Sequence, residues 1–172
     1  MARPRYAAPV PGHLPGLDDG GDVAESGDRG FVDVGAGHLL TEMQMRRVVD
    51  PEAGPALEMD LRDEVVNPFR SLHGGLMATM MECAAAGCAV QASGSERILP
   101  SDMHIRFLST VKVGPARAIS KVLRQGRRAI VVQCDVIDVG DDRKLVSSAT
   151  LSYTLLDSPT STSGPVSRGT SP

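Results

Sequence analysis

The sequence predicts an α+β domain in which a curved antiparallel sheet wraps around one long helix, in the order β-β-α-β-β-β-β. Three observations carry this expectation. Leu76–Val90 is apolar on every side of a helical wheel, with Glu82 as its one charged interruption, and a helix apolar all round is normally enclosed. Six flanking segments alternate apolar with polar residues at the period of half-buried strands. Turn residues join successive segments tightly, which favours antiparallel pairing with one covered face. The apolar helix is the element available to cover that face.

The elements follow in order. Residues 1–35 hold seven of the eighteen glycines and four of the twelve prolines, together with the acidic run LDDGGD. Such a leader buries too little apolar area to offset its ordering entropy and is expected to be disordered or loosely ordered. The folded domain is placed at 36–156, with 157–172 (SPTSTSGPVSRGTSP after Asp157) as a flexible tail. His38–Val49 sets Leu39, Met43, Met45 and Val49 against Glu42, Gln44 and Arg46. Ala56–Arg62 sets Leu57, Met59 and Leu61 against Glu58, Asp60 and Arg62. Pro51 and Gly54-Pro55 punctuate the join. The helix is introduced by Asn67-Pro68 and His73-Gly74-Gly75, and its fifteen residues are fewer than the roughly 20 needed to cross a bilayer. Asp102–Val113 then turns Met103, Ile105, Phe107, Val111 and Val113 inward. Ala116–Gln125 is a weaker strand, Ala129–Val139 a strong β-branched one, and Gly140-Asp141-Asp142 a turn into Lys144–Leu155. One six-stranded sheet does not enclose a helix this apolar, so a dimer joining sheets edge to edge is expected.

Composition narrows function. A net charge of −3, interspersed signs and 3% aromatics exclude a basic or base-stacking nucleic-acid surface. The arginines of MARPR are followed by no apolar segment, so no secretory signal is expected. Cys83, Cys88 and Cys134 are odd in number, lie in apolar segments and lack CxxC spacing. Free buried thiols in a reducing cytoplasm fit them better than a disulfide framework or a metal site. No metal, cofactor or membrane is expected.

The chemistry gathers in the central stretch. Glu82 is a carboxylate in an apolar helix with no basic residue within one turn. Burial should raise its pKa, unless it reaches solvent or pairs with a strand arginine such as Arg106. Gly74 and Gly75 leave backbone N–H groups unshielded at the positive end of the helix, where an anion or a polarised carbonyl oxygen can be held. Plain backbone clearance is the competing reading of that pair, and a structural role the competing reading of His73. Gly74 and Glu82 are eight residues apart, about 12 Å along a helix, too far to share one carbonyl. Two helices antiparallel across a two-fold axis would bring one chain's Gly74 to the other's Glu82.

Asn67, His73-Gly74-Gly75 six residues on, and the acidic Glu82 nine after the histidine together resemble the hotdog-fold acyl-CoA thioesterases. The resemblance is closest to the PaaI-like and 4-hydroxybenzoyl-CoA thioesterase group. LPSDMHIRFLSTVKVG is similar to that family's third strand, and GRRAIVVQCDVIDVGDDRKLVSSATLSY to its closing hairpin. The resemblance implies a hotdog fold over about Gly37–Leu155 and hydrolysis of an acyl- or aryl-CoA to the free acid and CoA. It makes Glu82 the nucleophile or general base, Gly74 N–H (with Gly75) the polariser of the carbonyl, Asn67 the positioner of thioester or water, and His73 the shaper of the loop. Ser101 is implied as a hydroxyl that holds the water. Many of the group have Asp where this chain has Glu82, and the longer side chain leans toward the hydroxybenzoyl-CoA type, some of which carry Thr at the position of Ala86. The run Ala84–Gly87 leaves room for an acyl or aryl group, and Arg127 and Arg128 after Gly126 are the foremost candidates for the CoA phosphates, ahead of Arg106, Lys112 and Arg124. A homodimer with composite sites, or a dimer of dimers, is implied as the working form. The alternative is a hotdog protein that binds acyl-CoA without hydrolysing it, as a sensor or subunit, against which a buried Glu82 argues. The His and Asp placement of dehydratase-type hotdog enzymes is not present.

Overall fold

A computed structural model describes residues 38–156. The expected leader and tail lie outside the described residues. Six strands form one antiparallel sheet: β1 (Arg46–Asp50), β2 (Gly54–Met59), β3 (Ile98–Phe107), β4 (Ala116–Gln125), β5 (Ala129–Asp138) and β6 (Lys144–Leu155). Their order across the sheet is β1-β2-β4-β5-β6-β3, which leaves β1 and β3 as its edges. A short helix α1 (Leu39–Glu42) precedes β1, and the long helix α2 (Gly74–Ser93) packs against β2, β3, β4, β5 and β6. The expected arrangement of one sheet around one helix is therefore what the chain adopts.

Alternation builds the core between them. Ala116 and Ala118 of β4, Ile130, Val132, Cys134 and Val136 of β5, and Ala149, Leu151 and Tyr153 of β6 meet Met77, Met80, Met81, Ala85 and Ala89 of α2. Each fully buried methionine contributes roughly 1.5–3 kcal/mol of transfer free energy. The alanines let the helix approach the sheet closely. The far side of α2, including Leu76, Cys83, Ala84, Ala86 and Cys88, is half-buried in the single chain rather than enclosed. The all-round apolar pattern thus overstates what one chain covers.

Several strand boundaries differ from expectation, and β2 runs Gly54–Met59 rather than Ala56–Arg62. His38–Val49 is not one strand: His38 Nδ1 accepts from Leu40 N at 3.2 Å and caps the α1 turn, and Gln44 turns the chain at φ +51° before β1. Val49, expected inward, is 81% exposed because the edge strand runs past the helix. The third strand begins earlier and ends earlier than Asp102–Val113. Pro100 is tolerated because β3 is an edge with no second ladder to supply. Beyond Phe107 the ladder stops, as Leu108 N and Ser109 N both donate to Val146 O. The N–H groups of Lys112, Val113 and Gly114 go instead to the buried Asp138 carboxylate at 2.8, 3.1 and 2.7 Å. Burial works against that carboxylate, but these donors outweigh it and hold its pKa below the usual range.

Candidate active site

The N-terminal end of α2 is organised by side chains that spend themselves on backbone. Asn67 Oδ1 accepts from Phe69 N at 2.9 Å and Ser71 N at 3.3 Å, while Asn67 N donates to Ser71 O at 2.7 Å. Among the described residues the Asn67 side-chain Nδ2 has no acceptor, which leaves it as a donor of this tight turn. His73 is the N-cap of α2, and its Nδ1 accepts from Gly75 N at 3.1 Å. That bond places the proton of a neutral imidazole on Nε2. It also explains the glycine: a Cβ on Gly75 would come within 3.1 Å of His73 Cε1. With the Gly75 N–H engaged, the Leu76 and Gly74 N–H groups are left at the helix start without a protein acceptor among the described residues, the first of them on Gly74. The ring of the half-exposed Phe107 flanks it, 3.4 Å from where a Gly74 Cβ would lie.

Glu82 lies two turns further along α2. Its side chain is half-buried and has no ion pair among the described residues. Burial pushes its carboxyl pKa up, and the Cys83 thiol 3.9 Å from Oε2 opposes this in part. Arg106 does not neutralise it. Arg106 faces Ser148 across β6 on the side of the sheet away from α2, since Ile105 and Phe107 take the helix side. Burial pushes the Cys83 thiol up to about 12, so it stays protonated at neutral pH and offers no competing thiolate. Ala86 sits half-buried one turn beyond Glu82.

Ser101 is the extra residue of a bulge in β3, between the pairs Pro100–Tyr153 and Asp102–Ser152. Bulges re-aim side chains, and this one turns Ser101 Oγ to within 2.7 Å of Thr154 Oγ1. Arg127 and Arg128 form the exposed β4–β5 turn, closed by Gly126 N donating to Ala129 O at 2.8 Å. Leu155 N donates to Arg128 O at 2.9 Å. Neither guanidinium has an ion pair among the described residues.

These residues therefore form two groups. Asn67, His73 and Gly74 gather at the Phe107 end of β3. Glu82 sits at the level of Tyr153, which pairs with Pro100 at the other end. One chain does not bring Gly74 and Glu82 together. Among the described residues no cluster of His, Cys, Asp or Glu has the arrangement to hold a metal ion.

Residues 69–144 match the family model described as the thioesterase superfamily. A protein of Saccharolobus solfataricus named as a candidate esterase is 28% identical over 111 residues, covering 64% of this chain and 78% of that protein. Over residues 69–144 the domain is similar to the thioesterase superfamily. In class it is a hydrolase of thioesters, and its sheet-and-helix architecture is the hotdog. A Haemophilus influenzae thioesterase superposes with a TM-score of 0.61 at 18% identity, covering 71% of this chain and 85% of that one. A Bacillus halodurans protein solved with CoA superposes at 0.51 with 24% identity, covering 59% of this chain and 66% of that one.

Two features of the domain have no counterpart among the sequence expectations. Tyr153 of β6 donates its hydroxyl to Glu82 O at 3.1 Å. The signal was available, since a buried tyrosine needs a partner for its O–H. The second is an ionic network of Asp50, Glu58, Arg46, Arg117 and Arg143 on the β1 side. Glu58 was legible as an alternating residue, but its pairing with Arg117 spans 59 positions and has no local signature.

Proposed function

We propose that the protein is an acyl-CoA thioesterase that works as a dimer, with each active site assembled from both chains. The observation that carries this reading is the placement of two incomplete groups at opposite ends of the edge strand β3. Antiparallel pairing of two such edges about a two-fold axis sets the Gly74 end of one chain against the Glu82 end of its partner. In that arrangement the Gly74 N–H and the Asn67 amide polarise the thioester carbonyl. Glu82 takes a proton from water as the water oxygen bonds to the carbonyl carbon. The tetrahedral intermediate then expels the CoA thiolate, which recovers the proton from Glu82 and leaves the free acid. In the nucleophilic variant the carboxylate itself bonds to the carbonyl carbon and the C–S bond breaks to release the CoA thiolate. Water then hydrolyses the resulting anhydride to the free acid and the Glu82 carboxylate, the second proton of that water going to the thiolate. Ser101 Oγ is bonded to Thr154 on the face of the sheet away from α2, so within one chain it is not placed to hold that water. Room for the acyl group lies beside Ala86, and Arg127 and Arg128 supply charge for the CoA phosphates. The Bacillus halodurans relative solved with CoA supports the choice of thioester.

The test is hydrolysis of short, long and aromatic acyl-CoAs by wild type and Glu82→Gln. A loss of about 100-fold or more is expected. Activity should rise with pH through the raised Glu82 pKa, because the carboxylate is the competent form. Mixing Glu82→Gln with Asn67→Ala should restore about a quarter of wild-type activity, since half of the random dimers carry one intact composite site. No recovery on mixing rejects the composite site. Tight acyl-CoA binding without turnover by the wild type rejects the hydrolase reading of this pocket. A single turnover in ¹⁸O-water separates the two routes, because the anhydride route leaves label in Glu82.

A further inference from the structure

We infer that Tyr153 is a positioning residue for the reaction, holding the turn of α2 that carries Glu82 at the depth the composite site requires. The inference rests on the reading of Glu82 given above. Tyr153 is fully buried on β6, with Ile130 and Pro100 opposite it on the two neighbouring strands. Its hydroxyl crosses from sheet to helix and donates to the carbonyl oxygen of Glu82 itself, at 3.1 Å. In a regular helix that oxygen already accepts from the amide four residues on, so the second donor is not needed to satisfy it. What the second donor adds is a fixed distance between the Glu82 peptide and the sheet.

The adjacent residue makes the matching tie on the other strand. Thr154 Oγ1 lies 2.7 Å from Ser101 Oγ, within the β3 bulge. Two consecutive residues of β6 therefore fix the carboxylate-bearing turn on one side and the bulged hydroxyl on the other. The surrounding helix is poor in such ties. Its sheet-facing side is methionine and alanine, and methionine packing adapts rather than specifies. A reacting carboxylate must be held within about 0.5 Å of its working position, which the packing of Met80 and Met81, with the weak bond from Ser147 Oγ to Met81 Sδ at 3.6 Å, does not secure by itself.

The experiment is a double-mutant cycle on the full-length dimer, with Tyr153→Phe, Glu82→Gln and the pair, assayed on the best acyl-CoA. Phenylalanine keeps the ring that fills the core. A thermal melt of the same samples separates loss of fold from loss of position. Tyr153→Phe should lower kcat about 10-fold, the scale of a sub-ångström misplacement, with KM unchanged within about 2-fold. In the Glu82→Gln background the same change should have no further effect, because a residue acting through Glu82 has nothing left to position. An equal loss in both backgrounds, a change in KM alone, or unchanged kcat overturns the inference. Full activity of Glu82→Gln is a different result: it removes the proposed role of Glu82, and this inference with it.

Discussion

The two edges of the sheet are built on opposite plans. At the β1 edge the strand is five residues long and held by charge. Arg46 reaches Asp60 at 2.7 and 2.9 Å and also binds Glu58. Arg117 bridges Glu58 and the buried Asp50, and Arg143 grips Asp50 at 2.9 and 3.0 Å. At the β3 edge the strand is ten residues long and carries exposed Leu99, Phe107 and, just beyond its end, Leu108. Short, charged edges resist pairing with another chain, and long apolar ones invite it. The difference sets an edge whose charges are paired within one chain against an edge that leaves apolar side chains exposed. Under the composite-site proposal, the β3 edge is the one a second chain would pair with.

The largest effect is expected at the β3 edge. Leu99→Lys with Leu108→Lys should leave a folded monomer and lower thioester hydrolysis by about 100-fold or more, because neither half-site is then completed. Sedimentation together with the acyl-CoA assay checks this. A fully active monomer would end the composite-site reading.

The β1 edge should respond in stability rather than in assembly. Arg117→Met leaves Glu58 and Asp50 as buried carboxylates short of a partner and should cost about 3 kcal/mol in urea unfolding, with the dimer retained. Acid should attack the same place. Arg143 holds the Asp50 carboxyl well below the usual range against the pull of burial, with Arg117 and the Glu52 N–H assisting. A depressed folded pKa contributes stability above the unfolded value of about 3.9, and that contribution is lost as pH falls below it. The urea midpoint should therefore drop on acidification below about pH 4, and less steeply in Arg117→Met. The smallest effect is expected at Val49, whose side chain is 81% exposed on the β1 edge. Val49→Thr should move stability by no more than about 0.5 kcal/mol and leave the mass in solution unchanged.

Much of the fold was legible because it rests on local chemistry. Period-two alternation placed β4 and β6 at Ala116–Gln125 and Lys144–Leu155, where they are observed. The apolar run with its Asn-Pro and His-Gly-Gly prelude located α2, whose limits are set by the His73 cap and by Gly94 in the left-handed region at φ +67°. The candidate residues were legible for the same reason. Asn67, His73, Gly74 and Glu82 sit in one short stretch, and helical rise alone separates Gly74 from Glu82. Expectation failed where a strand end is set by a distant partner. Neither Val146 O, which stops β3, nor Asp138, which captures the loop after it, leaves a mark near residue 107.

By itself, then, the sequence determined the element order, the apolar helix, the single carboxylate in it and the glycine pair at its start. These follow from periodicity and turn chemistry within a few residues of each position. Tertiary structure alone decided that β3 and β1 are the edges and that Tyr153 meets Glu82 O across 71 positions. Strand order and buried hydrogen bonds depend on which segments meet in space, and contacts between residues far apart in the chain leave no periodic trace in it.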